Sequence, residues 1–199
     1  SRLILLLDGE QILGGCGSRM DPPTAYVFPE SYDRISVVKG PQTVLYGPGN
    51  SAGTVLFERS HERLGKAGVE GTASLLGGSS GRSDQVLDAR GGTRDFYVRG
   101  IGTRTHASDY RDGAGNPVHS RYTRWSATAA FGWTPSDDLR LELSGTRSNG
   151  EAAYADRSMD GSKFLRENVA FKGEFRRLSP LVERVEVQAY RNDVDHIMD

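Results

Sequence analysis

The stretch that decides the fold runs from residue 124 to residue 133 and reads Arg-Trp-Ser-Ala-Thr-Ala-Ala-Phe-Gly-Trp. Its odd-numbered positions are all apolar: Trp125, Ala127, Ala129, Phe131 and Trp133. The even-numbered positions begin with polar side chains: Arg124, Ser126 and Thr128. Because successive side chains of a β-strand point to opposite faces, this period of two predicts a strand with one apolar face and one polar face.

The same alternation recurs along most of the chain. Leu139, Leu141 and Leu143 alternate with polar residues in one run, and Val169 and Phe171 do so in another. The periodicity predicts seven strands, at residues 67–78, 83–90, 94–106, 120–133, 138–149, 164–177 and 182–198. The connections 107–119 and 150–162 are long, whereas 91–93, 134–137 and 178–180 are tight. Long connections alternating with tight turns are typical of outer-membrane β-barrels.

The overall composition excludes several other classes of protein. The 199 residues are 36% hydrophobic, yet barrel strands expose only alternate residues to lipid, so this modest share is compatible with a barrel. A net charge of -1 offers no overall attraction to nucleic acid, and we expect no nucleic-acid partner. The single cysteine cannot form an internal disulfide bond.

Residues 1–60 differ from the rest and predict a small mixed α/β unit. The apolar run Leu3–Leu7 predicts a buried strand before a tight turn, and a glycine-rich loop follows at residues 14–23. Two more strands are expected at Arg34–Lys39 and at residues 54–57, with a short helical or irregular stretch at residues 26–32. Residues 42–45 are long enough for one helical turn.

Several motifs within this unit carry a family resemblance. They are Leu7-Asp8-Gly9, then Pro29-Glu30, then Asp33 to Pro41 (Asp-Arg-Ile-Ser-Val-Val-Lys-Gly-Pro), then Leu45-Tyr46-Gly47 and Gly53-Thr54-Val55. In these motifs residues 1–60 resemble the second half of the plug domain of TonB-dependent outer-membrane receptors.

The resemblance implies an architecture and a biological setting. Residues 1–60 would be the C-terminal part of an α/β plug domain. Residues 61–199 would be the first seven strands of an antiparallel transmembrane β-barrel of about 22 strands. The chain would then be a fragment of a receptor in the bacterial outer membrane, surrounded by lipid. The TonB complex in the periplasm would drive import of a scarce nutrient, and the box that contacts TonB is expected to lie outside this fragment. Arg34 and Glu58 are expected to form ion pairs.

Two short motifs hold the only cysteine and two of the three methionines: Cys16-x-x-x-Met20 and His196-x-Met198. A thiolate, two thioethers and an imidazole form a soft set that suits copper, above all Cu(I), whereas Ca²⁺, Mg²⁺ or an iron chelate would call for oxygen donors. The pattern resembles copper receptors of this family, which carry Cys-x-x-x-Met in the plug and His-x-Met in the barrel. The resemblance implies that Cys16, Met20, His196 and Met198 bind copper as cargo.

Strand parity adds an independent expectation about this site. Val185, Val187 and Ala189 form the apolar face of the last predicted strand, so His196 and Met198, of opposite parity, are expected to face the lumen. A bulge after residue 191 would reverse that assignment. Counting strands upward from the plug places the end of the seventh strand at the extracellular mouth. We therefore expect an extracellular-facing site between plug loop and barrel, with the Cys16 sulfur and the His196 ring within about 5 Å.

Other functions remain possible from the sequence. A receptor for an iron chelate (a siderophore) would use aromatic and arginine side chains, which Arg104, Tyr110, Arg111 and Tyr122 supply. A structural or adhesive outer-membrane protein would need no soft ligands. No nucleophile is recognisably placed beside a base, so we expect no enzyme. Met159 is expected at the surface, and three histidines are left out of the site: His61, His106 and His119.

Overall fold

The computed structural model describes residues 3–15, 22–40, 46–47, 51–60 and 63–199. The chain forms two units, Ser1–His61 and Glu62–Asp199, and this division lies one residue from the predicted domain boundary. The helical turn predicted at residues 42–45 and the predicted ligands Cys16 and Met20 lie outside the described residues.

The first unit is built on a small mixed sheet. Its strands are β1 (Leu3–Leu7), β2 (Glu10–Gln11), β3 (Arg34–Lys39) and β4 (Gly53–Glu58), in the order β2-β1-β4-β3. Strands β1 and β4 pair in parallel, and the other pairs are antiparallel. Within the described residues the helical content of this unit is two 3-10 turns, Pro23–Tyr26 and Pro29–Ser31. Nowhere in the described part of the chain is a helix both long and apolar enough to span a membrane.

Burial explains why β1 is a continuous apolar run. Ile4, Leu5 and Leu7 are each at most 4% exposed, although their side chains alternate between the two faces of the strand. A strand that is buried on both faces has apolar residues at every position, so its sequence shows no alternation of apolar and polar residues. Tyr26 and Phe57 are also buried in this unit.

The turn after β1 is tied to the end of β4 by an ion pair. The Asp8 carboxylate accepts hydrogen bonds from the Arg59 backbone N–H at 2.7 Å and from Arg59 Nη1 at 2.8 Å. Arg59 Nε donates to the Ser31 carbonyl at 2.9 Å, and the guanidinium lies 4.3 Å from the centroid of the Tyr32 ring. Asp8 of the Leu-Asp-Gly motif therefore has a structural role. The ion pair predicted for Arg34 and Glu58 is confirmed at 2.9 Å.

The second unit is a seven-stranded antiparallel sheet with a small hairpin beside it. Its strands are β5 (Gly68–Gly77), β6 (Ser83–Gly92), β7 (Phe96–Ala107), β10 (Tyr122–Ser136), β11 (Leu139–Ala152), β12 (Gly161–Ser179) and β13 (Val182–Met198); the hairpin is β8 (Tyr110–Arg111) and β9 (Pro117–Val118). Each strand of the sheet lies within three residues of its predicted bounds. The sheet follows chain order, from β5 at one edge to β13 at the other. The closed barrel of about 22 strands stays a prediction.

The two faces of this sheet are the reverse of those of a water-soluble protein. On β10 the apolar side chains are exposed, with Trp125 at 39% and Phe131 at 49%. Ser126, Thr128 and Thr134, on the opposite parity, are at most 9% exposed. Apolar area left in water costs roughly 25 cal/mol per Å², whereas contact with lipid removes that cost. The sheet therefore has the sidedness of an outer-membrane barrel wall.

Carboxylates organise the long connection between β7 and β10. Asp109 Oδ1 accepts backbone N–H groups of Ser120 and Arg121, each at 2.8 Å. Asp112 Oδ1 accepts those of Ala114 and Asn116, each at 2.9 Å. These hydrogen bonds favour the ionised carboxylates and lower the pKa of Asp109 and of Asp112.

We expect the base of this loop to loosen in acid. The lowered pKa of Asp109 means that its stabilising contribution is present above the ordinary pKa of about 3.9 and is lost as the pH falls through the lowered value. Hydrogen exchange at the Ser120 and Arg121 amides should be measured against pH and corrected for its intrinsic pH dependence. We expect these amides to lose protection only when the pH falls through the lowered pKa of Asp109. Asp109→Asn keeps an oxygen acceptor but cannot ionise, so its residual protection should not vary with pH. Equal acid sensitivity in both proteins would contradict this role.

Candidate metal site

The structure describes two of the four predicted ligands, both on β13. His196 and Met198 are two residues apart and both are partly buried, whereas their neighbours Asp195 and Ile197 are exposed. Two side chains of one strand separated by two residues point to the same face. The imidazole and the thioether are therefore presented together.

The register between β12 and β13 decides which face this is. The pairing runs without a shift from Arg176↔Arg184 to Lys163↔Ile197. His196 therefore keeps the parity of Asn192, whose side chain accepts two hydrogen bonds from the buried Arg166 at 3.0 and 2.8 Å. Two shifts do occur, between Gly161 and Lys163 and between Arg176 and Ser179, and in both the extra residue lies on β12. His196 and Met198 thus lie on the polar face of the sheet, as their parity predicted.

The imidazole of His196 is held against an aromatic ring. Phe164 is its register partner on β12, and the two ring centroids are 5.1 Å apart with an angle of 39° between the planes. Nε2 of His196 is buried and has no hydrogen-bond partner among the described residues. A buried polar atom without a partner costs free energy, unless a ligand takes its lone pair or its proton.

The other described histidines are different. His106 Nδ1 lies 2.9 Å from the Thr123 hydroxyl, and His119 Nε2 lies 2.6 Å from a carboxylate oxygen of Asp160. Both rings therefore have partners within the protein, which agrees with leaving them out of the predicted site. Met159 is 40% exposed, as expected for a surface residue.

The described residues contain no cluster of three or more His, Cys, Asp and Glu side chains that could hold a metal ion. Of the other predicted ligands, Met198 adds a thioether on the face of His196, and Cys16 lies outside the described ranges. The chemistry of the donors that are described, one imidazole nitrogen and one thioether, suits a soft metal ion.

Phe164 was not identified from the sequence as part of this site. Its pairing with His196 depends on the register of β12 and β13, which shifts between Arg176 and Ser179, and no local pattern reveals that shift. The residues proposed for an iron chelate lie on different parts of this unit. Arg104 is exposed and pairs in register with Trp125 on the apolar face, and Tyr110 is 49% exposed in the β8–β9 hairpin. Arg104 therefore lies on the apolar face of the sheet.

Comparison with known proteins supports the class of protein that the fold indicates. A family model described as the TonB-dependent Receptor Plug Domain matches residues 1–54. The FrpB iron transporter from Neisseria meningitidis matches with a TM-score of 0.69 at 19% identity, over 95% of this chain and 31% of its own. The siderophore receptor PirA from Acinetobacter baumannii matches with a TM-score of 0.69 at 14% identity, over 96% of this chain and 32% of its own. The chain belongs to the TonB-dependent receptors of the bacterial outer membrane.

One solved structure is similar in sequence as well as in fold. The copper transporter OprC is 51% identical and superposes with a TM-score of 0.97, over 100% of this chain and 30% of that one. The chain spans about a third of the length of each of these relatives. No curated protein sequence matches the chain.

Proposed function

We propose that the receptor containing this chain imports copper across the outer membrane and binds the ion through Cys16, Met20, His196 and Met198. The observation that carries the proposal is the buried Nε2 of His196, which has no partner among the described residues and lies on the same face as Met198. The 51% identity to a copper transporter over the whole chain supports the same conclusion.

The donor set favours Cu(I) over the other common metal ions. Thiolate and thioether sulfur are soft ligands that select Cu(I), and imidazole is compatible with them. A thiolate also neutralises the single positive charge of Cu(I), so the ion and its ligands together carry no net charge. Such a group is far less costly to remove from water than a divalent ion with the same ligands.

Uptake requires energy, which the family resemblance assigns to the TonB complex in the periplasm. The plug-domain match at residues 1–54 supports this coupling. Because the chain spans about a third of its relatives, import and TonB contact are proposed for the protein that contains it.

Copper binding by the full-length receptor tests the proposal. The purified protein would be exposed to Cu(I) under reducing conditions and desalted, and its metal content measured. We expect stoichiometric copper in the unaltered protein and a loss of most of it in His196→Ala. His106→Ala is the matched control, because His106 already has Thr123 as its partner, and it should retain copper. Full copper in His196→Ala would refute the proposed ligand set.

The alternative is a receptor for an iron chelate, bound by loop residues such as Tyr110, Arg111 and Tyr122. The matches to iron receptors lie below 20% identity and show the fold alone. Uptake of a ferric chelate by cells with the intact receptor, lost in Tyr110→Ala and without any copper binding, would favour this alternative.

A further inference from the structure

We propose that Phe164 is a positioning residue that fixes the imidazole of His196 and keeps water from its Nε2. The proposal rests on the proposed function, because it takes copper as the ion that His196 binds.

The backbone places Phe164 within one irregularity of the sheet and next to another. The β11–β12 register shifts between Ser148 and Ala152, and the β12–β13 register shifts between Gly161 and Lys163. The Phe164 N–H donates to Oδ1 of Asn149 at 3.1 Å, and the same oxygen accepts the Gly150 N–H at 2.8 Å. The Asn149 side chain thus accepts a hydrogen bond from the Phe164 N–H, a backbone donor at a point where the pairing of β11 with β12 is irregular. Irregularities of this kind re-aim side chains and are common beside functional sites.

The ring of Phe164 covers the strand opposite both described ligands. Phe164 is 5% exposed and pairs in register with His196. Its ring lies over Gly161, where an added Cβ would clash with two of the ring carbons. Gly161 is in turn the register partner of Met198. One apolar side chain therefore spans the β12 positions that face His196 and Met198.

This packing has two consequences for a metal ligand. Contact with a fixed ring restricts the rotamers of His196, so less side-chain freedom is lost when an ion binds. Exclusion of water leaves Nε2 without a competing hydrogen bond, which matches its buried and unpartnered state among the described residues. Groups that orient a metal ligand without touching the metal typically contribute about 10- to 100-fold to affinity.

The experiment compares Phe164→Ala and Phe164→Leu with Phe171→Ala in the full-length receptor. Phe171 lies on the same strand with 40% exposure on the apolar face, so its loss removes a similar ring away from the site. Two quantities would be measured: the Kd for Cu(I), by competition with a chromophoric chelator, and the rate at which diethyl pyrocarbonate modifies His196 in the metal-free protein. The second readout does not depend on copper.

We expect Phe164→Ala to raise the Kd by about 10- to 100-fold and to make His196 reactive. Phe164→Leu should show smaller changes in the same direction, because leucine still excludes water, and it carries the test if the alanine variant does not fold. Phe171→Ala should change neither quantity. Unchanged Kd and unchanged His196 reactivity in both Phe164 variants would overturn the proposal. If the unaltered receptor binds no copper while Phe164→Ala still exposes His196, the proposed function fails and the positioning role stands.

Discussion

Replacing Cys16 by serine in the full-length receptor is expected to lower its affinity for Cu(I) by more than about 100-fold, since loss of a ligand exceeds loss of a group that only orients one. The hydroxyl of serine is close in size to the thiol but is a hard donor and is not ionised at neutral pH. The change therefore removes a soft, charged ligand with little change of shape. The Kd for Cu(I) measures the effect.

Met159→Ala is the control for this substitution. Met159 carries the same type of sulfur as Met20 and Met198, but it is 40% exposed and is not part of the proposed ligand set. Its loss should leave the Kd at the primary site unchanged. In the unaltered protein, soft Ag(I) should displace Cu(I) and Zn(II) should do so poorly. Undiminished Cu(I) affinity in Cys16→Ser would show that Cys16 is a structural residue.

The second large effect is expected at Gly132 on β10. A Cβ at this position would overlap the ring of Tyr97, which is 2% exposed. The Tyr97 hydroxyl donates a hydrogen bond to the Glu142 carboxylate, and the Arg90 guanidinium lies 4.9 Å from the centroid of the Tyr97 ring. Gly132→Ala must therefore displace a buried ring together with its charged partners. Overpacking and the damaged hydrogen bond together should destabilise the folded receptor by about 3 kcal/mol.

Gly100→Ala provides the matched comparison, because a Cβ at residue 100 would meet no atom of the described residues within 4 Å. We expect its unfolding free energy to stay within about 0.5 kcal/mol of the unaltered protein. Chemical unfolding of the receptor in lipid vesicles, followed by tryptophan fluorescence, measures both variants. Equal stability of the two would mean that Tyr97 yields without losing its contact with Glu142.

The strands were predictable from the sequence because apolar and polar residues alternate with a period of two, which is visible within a few neighbouring positions. Trp125 and Ser126 differ in polarity because they face opposite sides of the sheet. The same kind of alternation on β13 predicted the face of His196. Strand β1 was recognised differently, from the continuous run Leu3–Leu7 that burial of both faces permits.

The remaining features depend on contacts between distant residues. The Asp8–Arg59 pair joins residues that are 51 positions apart, and the sequence near either residue does not indicate its partner. The contact of Phe164 with His196 requires the register of β12 and β13, which is altered near their connecting turn by a shift between Arg176 and Ser179.

The opposite polarity of the two faces of β10 also limits how the gene can change in length. Insertion of a single codon in the middle of this strand would exchange the faces of every later residue in it, so that Thr128 met lipid and Phe131 met the polar side. The connection between β7 and β10 has no alternation of faces to preserve, so extra codons there would leave the seven-stranded sheet intact. Viable insertions and deletions in descendants of this gene should therefore accumulate in the connections, while the strands diverge by substitution alone.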